Sequence, residues 1–168
     1  SWLRTFLSGE SDEPLVISTT GTSGNVKKIE IPRQALLATS KAANKFLGAK
    51  PGELWSLLLP TNHIAGINVL TRAYLLGTEV VSVKDIANFT AIVPTQLFNA
   101  LNGDDELLTH LEKCNKVLVG GAKLSEPLLK QAQEAGIKVV TSYGATETCG
   151  GCVFDGTPLD GVEIQING

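Results

Sequence analysis

Short apolar runs alternate with helical stretches along most of this chain, and nearly every run empties into glycine, proline or hydroxyl residues. Residues 15–18, 28–31, 54–59, 79–83, 91–93, 116–119 and 138–141 read as strands, by apolar continuity or by alternation. Between them lie helices. Pro32 opens one whose Leu36, Ala43 and Leu47 share a face and which Gly48 ends. Residues 63–76 form a second, closed by Gly77; Pro94 begins a third; Ser125 caps a fourth, with Leu128, Leu129, Ala132 and Ala135 on one side and Gly136 as its stop. Strand–helix alternation of this kind predicts an α/β fold with a largely parallel sheet flanked by helices. From Val153 onward the pattern is β-like, and residues 162–166 alternate cleanly. The spacing therefore predicts a core over 1–152 and the start of an antiparallel β subdomain over 153–168.

Composition narrows the function classes. The chain has 168 residues, 43% hydrophobic and 18% charged, enough for one folded domain with a sizeable core. The net charge is −3 with no basic stripe, which argues against nucleic acid as a partner. No apolar run is long enough to span a bilayer, so no membrane partner is expected, and the first residues do not pattern as a secretion signal. The absence of Met suggests a piece of something longer. Cys114 stands alone and Cys149 and Cys152 form a C-x-x-C, which makes no closed disulfide set and favours a reducing, cytoplasmic setting. A thioredoxin-like C-x-x-C would open a helix, whereas strand-like Val153 and Phe154 follow here; the pair is expected to pack beside a functional loop.

Several turns carry polar chemistry. Thr19 to Lys28 is rich in glycine and hydroxyls, so its N–H groups, with the Lys27 charge, can converge on phosphate oxygens; a polar hairpin turn would look the same. It is not a Walker A loop, which needs lysine directly after its last glycine, and Val26 precedes Lys27. Ser142-Tyr143-Gly144-Ala145-Thr146-Glu147 leaves a buried strand at the kind of edge where α/β sheets place ligands. Tyr143 offers a face for a base, Thr146 a hydroxyl for phosphate, and Glu147 a hard oxygen for Mg²⁺. Gly120-Gly121-Ala122 leaves room for a planar ring against the backbone, or simply makes a tight turn. His63 sits at a strand-to-helix junction, where it lines an acyl pocket or serves structure alone. Arg72 is one cation in an otherwise apolar helix, placed either to bind a second carboxylate on a substrate or as a surface charge.

Taken in order, six segments resemble the adenylate-forming acyl-CoA synthetase superfamily. Thr20-Gly21-Thr22-Ser23-Gly24-Asn25-Val26-Lys27 resembles its S/T-G-T/S-T-G-x-P-K-G signature, and Leu59-Pro60-Thr61-Asn62-His63-Ile64-Ala65-Gly66 its L-P-x-x-H-x-x-G. Val93-Pro94-Thr95, Gly120-Gly121-Ala122-Lys123-Leu124-Ser125, Tyr143-Gly144-Ala145-Thr146-Glu147 and Gly156-Thr157-Pro158-Leu159-Asp160-Gly161-Val162 resemble its later motifs. Within the superfamily the chain is most similar to the 2-succinylbenzoate–CoA ligase branch of menaquinone biosynthesis.

The resemblance implies activation of a carboxylic acid by ATP with Mg²⁺, then transfer to coenzyme A. It implies that Thr20, Gly21, Thr22, Ser23, Gly24 and Lys27 hold the β- and γ-phosphates, that Thr146 contacts the α-phosphate, and that Glu147 binds Mg²⁺. Gly120, Gly121, Ala122, Ser142, Tyr143 and Gly144 would frame the nucleotide, while His63 and Arg72 would face the acyl group. Val26 and Lys28 depart from the usual Pro and Gly. The family's ribose-binding Asp, hinge and small C-terminal domain with its lysine have no counterpart in these residues, so weak nucleotide binding and poor turnover are expected of them alone. The alternatives are another acyl- or aryl-CoA ligase, an adenylation domain that loads a carrier protein, or a non-catalytic nucleotide-binding module.

Overall fold

A computed structural model describes residues 1–21 and 24–166. Four strands, β3 (Trp55–Ser56), β4 (Phe89–Ile92), β5 (Lys116–Val119) and β6 (Val139–Ala145), lie side by side in chain order and pair in parallel. Two more, β7 (Gly150–Phe154) and β8 (Thr157–Pro158), extend the same sheet antiparallel beyond β6. A separate antiparallel ribbon pairs β1 (Leu15–Thr20) with β2 (Val26–Ile31). The α/β expectation is met.

Both faces of the parallel strands are covered, which explains their nearly continuous apolar character. Ala91, Leu118 and Val140 pack with residues of α2 (Arg33–Leu47) and α3 (Ile64–Leu75). Their neighbours Ile92, Val117 and Val119 pack with α4 (Pro94–Leu101), α5 (Asp105–Lys113) and α6 (Glu126–Glu134). A third cluster joins α1 (Trp2–Ser8), the β1–β2 ribbon and the outer sides of α2 and α3. Helix α3 is therefore buried on nearly all sides, as its apolar sequence requires, and the polar Asn68, Thr71 and Arg72 are buried with it.

Three expectations are corrected. The strand read over 54–59 is regular only at Trp55–Ser56; Leu57 N–H still donates to Val81 O at 3.0 Å, and the chain then leaves the sheet, with Leu58 O accepting from the Gln96 amide at 2.8 Å. The strand read over 79–83 is a single bridge between Ser56 and Val81. Residues 162–166 form no strand; Ile164 and Ile166 are exposed, and alternation without a partner strand or a face to bury does not hold an extended ladder. Helices α1 and α5 went unread. For α5 the signal was present: Asp104 caps it by accepting from Leu107 N–H at 3.0 Å, and Asp105 and Glu106 sit in the first turn.

One buried polar pair ties α5 to β3. His110 Nδ1 lies 3.0 Å from the Asp85 carbonyl and Nε2 lies 2.7 Å from Ser56 Oγ. A carbonyl can only accept, so Nδ1 carries the proton and the Ser56 hydroxyl donates to Nε2. Burial, partly opposed by the Asp85 and Val83 backbone contacts, holds the imidazole below its ordinary value and keeps it neutral.

Candidate active site

The carboxyl-terminal ends of β3, β4, β5 and β6 open onto a cavity of about 650 Å³. This is the edge where an open parallel sheet places ligands, because successive strand-to-helix loops diverge there. The Leu58–Pro60 segment and the start of α3 form one side, Val93 and Gln96 after β4 another. Gly120 and Gly121 after β5, with Ser142, Gly144, Ala145 and Thr146 from β6 and the turn beyond it, form the rest. Gln96 is pinned as part of the wall: Val93 N–H donates to its Oε1 at 2.9 Å, and its amide donates to Leu58 O.

The β6–β7 corner depends on missing side chains. A Cβ on Gly144 would run into the Gly150 carbonyl, and one on Gly150, at φ 89°, would run into the Asn68 amide. Between them a 3₁₀ turn, Thr146–Thr148, is closed by Thr148 Oγ1, which accepts from Ala145 N–H at 2.9 Å and donates to Gly150 O at 2.8 Å. Asn68 secures the corner from α3, donating to Cys149 O at 2.8 Å.

Of the residues singled out from the sequence, the cavity gathers His63, Arg72, Gly120, Gly121, Ser142, Gly144 and Thr146. His63 is exposed at the N-cap of α3 with no side-chain capping bond. Glu147 follows Thr146 and meets Lys27 from β2 across 3.2 Å, so the glycine-rich hairpin and the β6 turn do come together. Its own backbone amide first, and then the Lys27 ammonium, hold the Glu147 carboxyl below the usual range, ionised at neutral pH. Thr20, Gly21 and Gly24 belong to that hairpin, with Gly21 N–H donating to Asn25 O at 3.1 Å and Gly24 N–H to Gly21 O at 3.0 Å; Thr22 and Ser23 lie outside the described residues. Tyr143 and Ala122 do not line the cavity. Tyr143 lies between Ser142 and Gly144 on β6, where the pairing with β7 shifts register, and presents an exposed ring, 76% accessible. Cys149 and Cys152 are free and buried, Cys149 beside the turn.

Arg72 is not a surface charge. It is 3% exposed, lines the cavity, and stacks over the Trp55 ring at 5.1 Å. Asn44 fixes both neighbours, donating to Arg72 O at 3.0 Å and accepting from Trp55 Nε1 at 3.2 Å. Burial pushes the Arg72 guanidinium down to about 10, with a small opposing pull from Cys149. The Cys149 thiol is itself pushed up to about 11 by burial and stays neutral, so it does not balance the charge. Among the described residues no carboxylate pairs with Arg72, and its Nε has no hydrogen-bond partner. A buried cation left this way costs several kcal/mol by general expectation, roughly what an anionic ligand would recover.

Residues 8–166 match the family model described as AMP-binding enzyme. The chain belongs to the AMP-binding enzyme family. A protein of Mycobacterium tuberculosis named "Probable 2-succinylbenzoate–CoA ligase" is 38% identical over 175 residues, covering 94% of this chain and 45% of that protein. The 2-succinylbenzoate–CoA ligase of Lactococcus lactis is 28% identical over 177 residues, covering 90% and 38%. The chain thus spans less than half the length of these relatives. Among solved structures, Bacillus subtilis MenE with the acyl-adenylate intermediate OSB-AMP superposes with a TM-score of 0.79 at 27% identity, over 90% of this chain and 36% of that one. The same enzyme in complex with ATP and magnesium ion gives 0.77 at 26%, over 90% and 37%.

Among the described residues no three His, Cys, Asp or Glu side chains converge, so a Mg²⁺ here would rest on Glu147, phosphate oxygens and water, its ordinary manner of binding. Among the same residues no helix is long and apolar enough to cross a membrane. Sequence reading missed Asn68, Trp55, Asn44 and Gln96. The one available signal was Asn68 itself, a polar residue four positions before Arg72 on an apolar helix and so on the same face.

Proposed function

We propose that this chain is the nucleotide- and acid-binding core, over 1–152 with a β extension over 153–168, of an AMP-forming acid–CoA ligase that acts on 2-succinylbenzoate in menaquinone biosynthesis. Arg72 carries the reading: a buried cation lining the cavity, with no paired carboxylate among the described residues, suits an aromatic acid with a second carboxylate. The names of the relatives support the same substrate.

In the first step a carboxylate oxygen of the acid attacks the α-phosphorus of ATP, the bond to the bridging oxygen breaks, and pyrophosphate leaves. Charge builds on the phosphates, and this chain offers Lys27, the hairpin N–H groups and the Thr146 hydroxyl to hold it, with Glu147 to hold Mg²⁺. When bound, the cation neutralises and orients the phosphates. Gly120 and Gly121 leave the nucleotide space against backbone, together with Ser142 and Gly144, while Tyr143 and Ala122 stand outside that wall. His63 lies at the cavity mouth beside the reacting carboxylate, and Arg72 holds the other. In the second step the coenzyme A thiol attacks the mixed-anhydride carbonyl and AMP leaves. Three free buried cysteines fit a reducing cytoplasm.

Lys27 and Glu147 neutralise each other across 3.2 Å, and ATP with Mg²⁺ would part them, each taking the partner of opposite charge. The test is equilibrium binding of 2-succinylbenzoate and of ATP–Mg²⁺ to the wild type and Arg72→Ala. The expected result is about 10- to 100-fold weaker acid binding, the worth of one charge-assisted contact, with ATP–Mg²⁺ little changed. Equal losses for both ligands would refute the acid-site role. Tighter binding of a simple fatty or aryl acid than of 2-succinylbenzoate would favour another acyl-CoA ligase.

A further inference from the structure

The turn that carries Thr146 and Glu147 is held by a side chain that does not itself line the cavity. Thr148 Oγ1 accepts from Ala145 N–H at 2.9 Å, and its single proton goes to Gly150 O at 2.8 Å, with Ala145 O at 2.9 Å as the other acceptor in reach. One hydroxyl thus joins the last residue of β6 to the first residue of β7, and Thr146 and Glu147 lie between the joined ends. Inside the turn, Cys149 N–H donates to Thr146 O at 3.0 Å, and Cys149 sits at φ 60°, in the left-handed region that non-glycine residues seldom adopt. Such a conformation persists only where neighbouring contacts impose it. The corner behind the turn has supports of its own: Gly144 pairs with Gly151 and Ala145 with Gly150 across β6 and β7, and Asn68 donates to Cys149 O.

The direction each side chain takes from this turn follows from its backbone. Thr146 lines the cavity, and Glu147, the next residue, reaches Lys27 across 3.2 Å. A turn free to open would spread both groups over a range of positions, and a displacement of about 1 Å is enough to weaken a contact that depends on placement. We propose that the Thr148 hydroxyl is a positioning group for the phosphate and Mg²⁺ end of the site: it touches no substrate, and it fixes the backbone from which Thr146 and Glu147 reach the nucleotide. The inference rests on the reading of Thr146 and Glu147 as the phosphate and cation residues. A role in folding alone has a different signature. Thr148 is exposed, so water can replace its hydroxyl at Ala145 N–H and Gly150 O, and the strand pairing and Asn68 remain. Loss of the hydroxyl should therefore register in nucleotide binding and hardly at all in stability.

Thr148→Val removes the hydroxyl and keeps the shape; Thr148→Ser keeps the hydroxyl and loses a methyl. The probes, titrated calorimetrically into the chain, are ATP with MgCl₂, ATP with EDTA, and 2-succinylbenzoate. In Thr148→Val, ATP with Mg²⁺ should bind about tenfold more weakly. ATP with EDTA and the acid should each change by less than about threefold, so the gain in ATP affinity on adding Mg²⁺ shrinks. Thr148→Ser should restore that gain to within about twofold of wild type. The thermal midpoint of both variants should stay within about 3 °C of wild type. Equal weakening of all three probes, no change in any, or failure of Thr148→Ser to restore the Mg²⁺ gain overturns the role of Thr148 and leaves Glu147 in place. Wild type that binds ATP equally with and without Mg²⁺ overturns the Glu147 reading itself, and the Thr148 inference with it. Should Thr148→Val not fold, Thr148→Ala takes its place, with the same expected and overturning results.

Discussion

Replacing Arg72 by Met should make the protein more stable while removing its hold on the acid. The reasoning begins with the guanidinium, which burial pushes well below its ordinary value, to about 10. At about 1.4 kcal/mol per pH unit, that corresponds to an order of 3 kcal/mol by which the fold disfavours the charge. The sign follows from linkage: a base whose folded value is depressed binds its proton less well in the native state, so the penalty is full at neutral pH and is relieved only as pH rises past about 10. Against it stands the stacking on Trp55, worth roughly 1–2 kcal/mol in a desolvated setting. Met keeps the length of the stem and its packing on the ring, and leaves no buried donor orphaned. The net gain is about 1–2 kcal/mol, a rise in thermal midpoint of about 2–8 °C for a chain of this size. Urea unfolding at neutral pH, with the m-value unchanged, is the assay. A loss of more than about 1 kcal/mol would show that the cation supports the fold, and the argument that it awaits an anion would fail.

Further consequences follow from the same contacts. Gly144→Ala should cost about 2–3 kcal/mol, because the new methyl meets the Gly150 backbone, which cannot move aside as a side chain can; urea unfolding measures it. Glu147→Gln should leave the thermal midpoint unchanged, since the Lys27 contact is solvent-exposed, yet weaken Mg²⁺-dependent ATP binding in calorimetry. Because the Glu147 carboxyl titrates below 4.5, that Mg²⁺ dependence should persist through pH 5 and disappear only as pH falls through its lowered value. The folded state keeps His110 neutral, so unfolding takes up a proton below 6.5; stability should fall as pH drops from 6.5 toward the depressed value, and the slope should flatten in His110→Asn.

The fold was legible where local and tertiary preferences agreed. Val117 to Val119 and Val139 to Val140 read as buried strands because both faces of the sheet are covered; of the marked α2 positions, Ala43 and Leu47 face the sheet while Leu36 packs toward α1 and the ribbon. Alternation misled at residues 162–166, where the structure supplies no partner strand, and apolar continuity misled at Leu57–Leu59, where the chain leaves the sheet to wall the cavity. The site was legible as motifs rather than as geometry. Glycine-rich turns announced themselves, and Lys27 and Glu147, 120 positions apart, do meet. The burial of Arg72 was not legible, because a lone Arg on a helix looks the same whether its face meets solvent or a cavity. Nor could spacing show that Tyr143 is exposed and outside the wall that Ser142 and Gly144 line.

The most direct test is a crystal structure of this chain with a non-hydrolysable sulfamoyl-adenosine analogue of the 2-succinylbenzoyl adenylate. One molecule should fill the cavity, its base side against Gly120 and Gly121, its sulfamate at Thr146, and its free carboxylate reaching Arg72. An analogue bound elsewhere, or bound with Arg72 still unpartnered, would contradict the account.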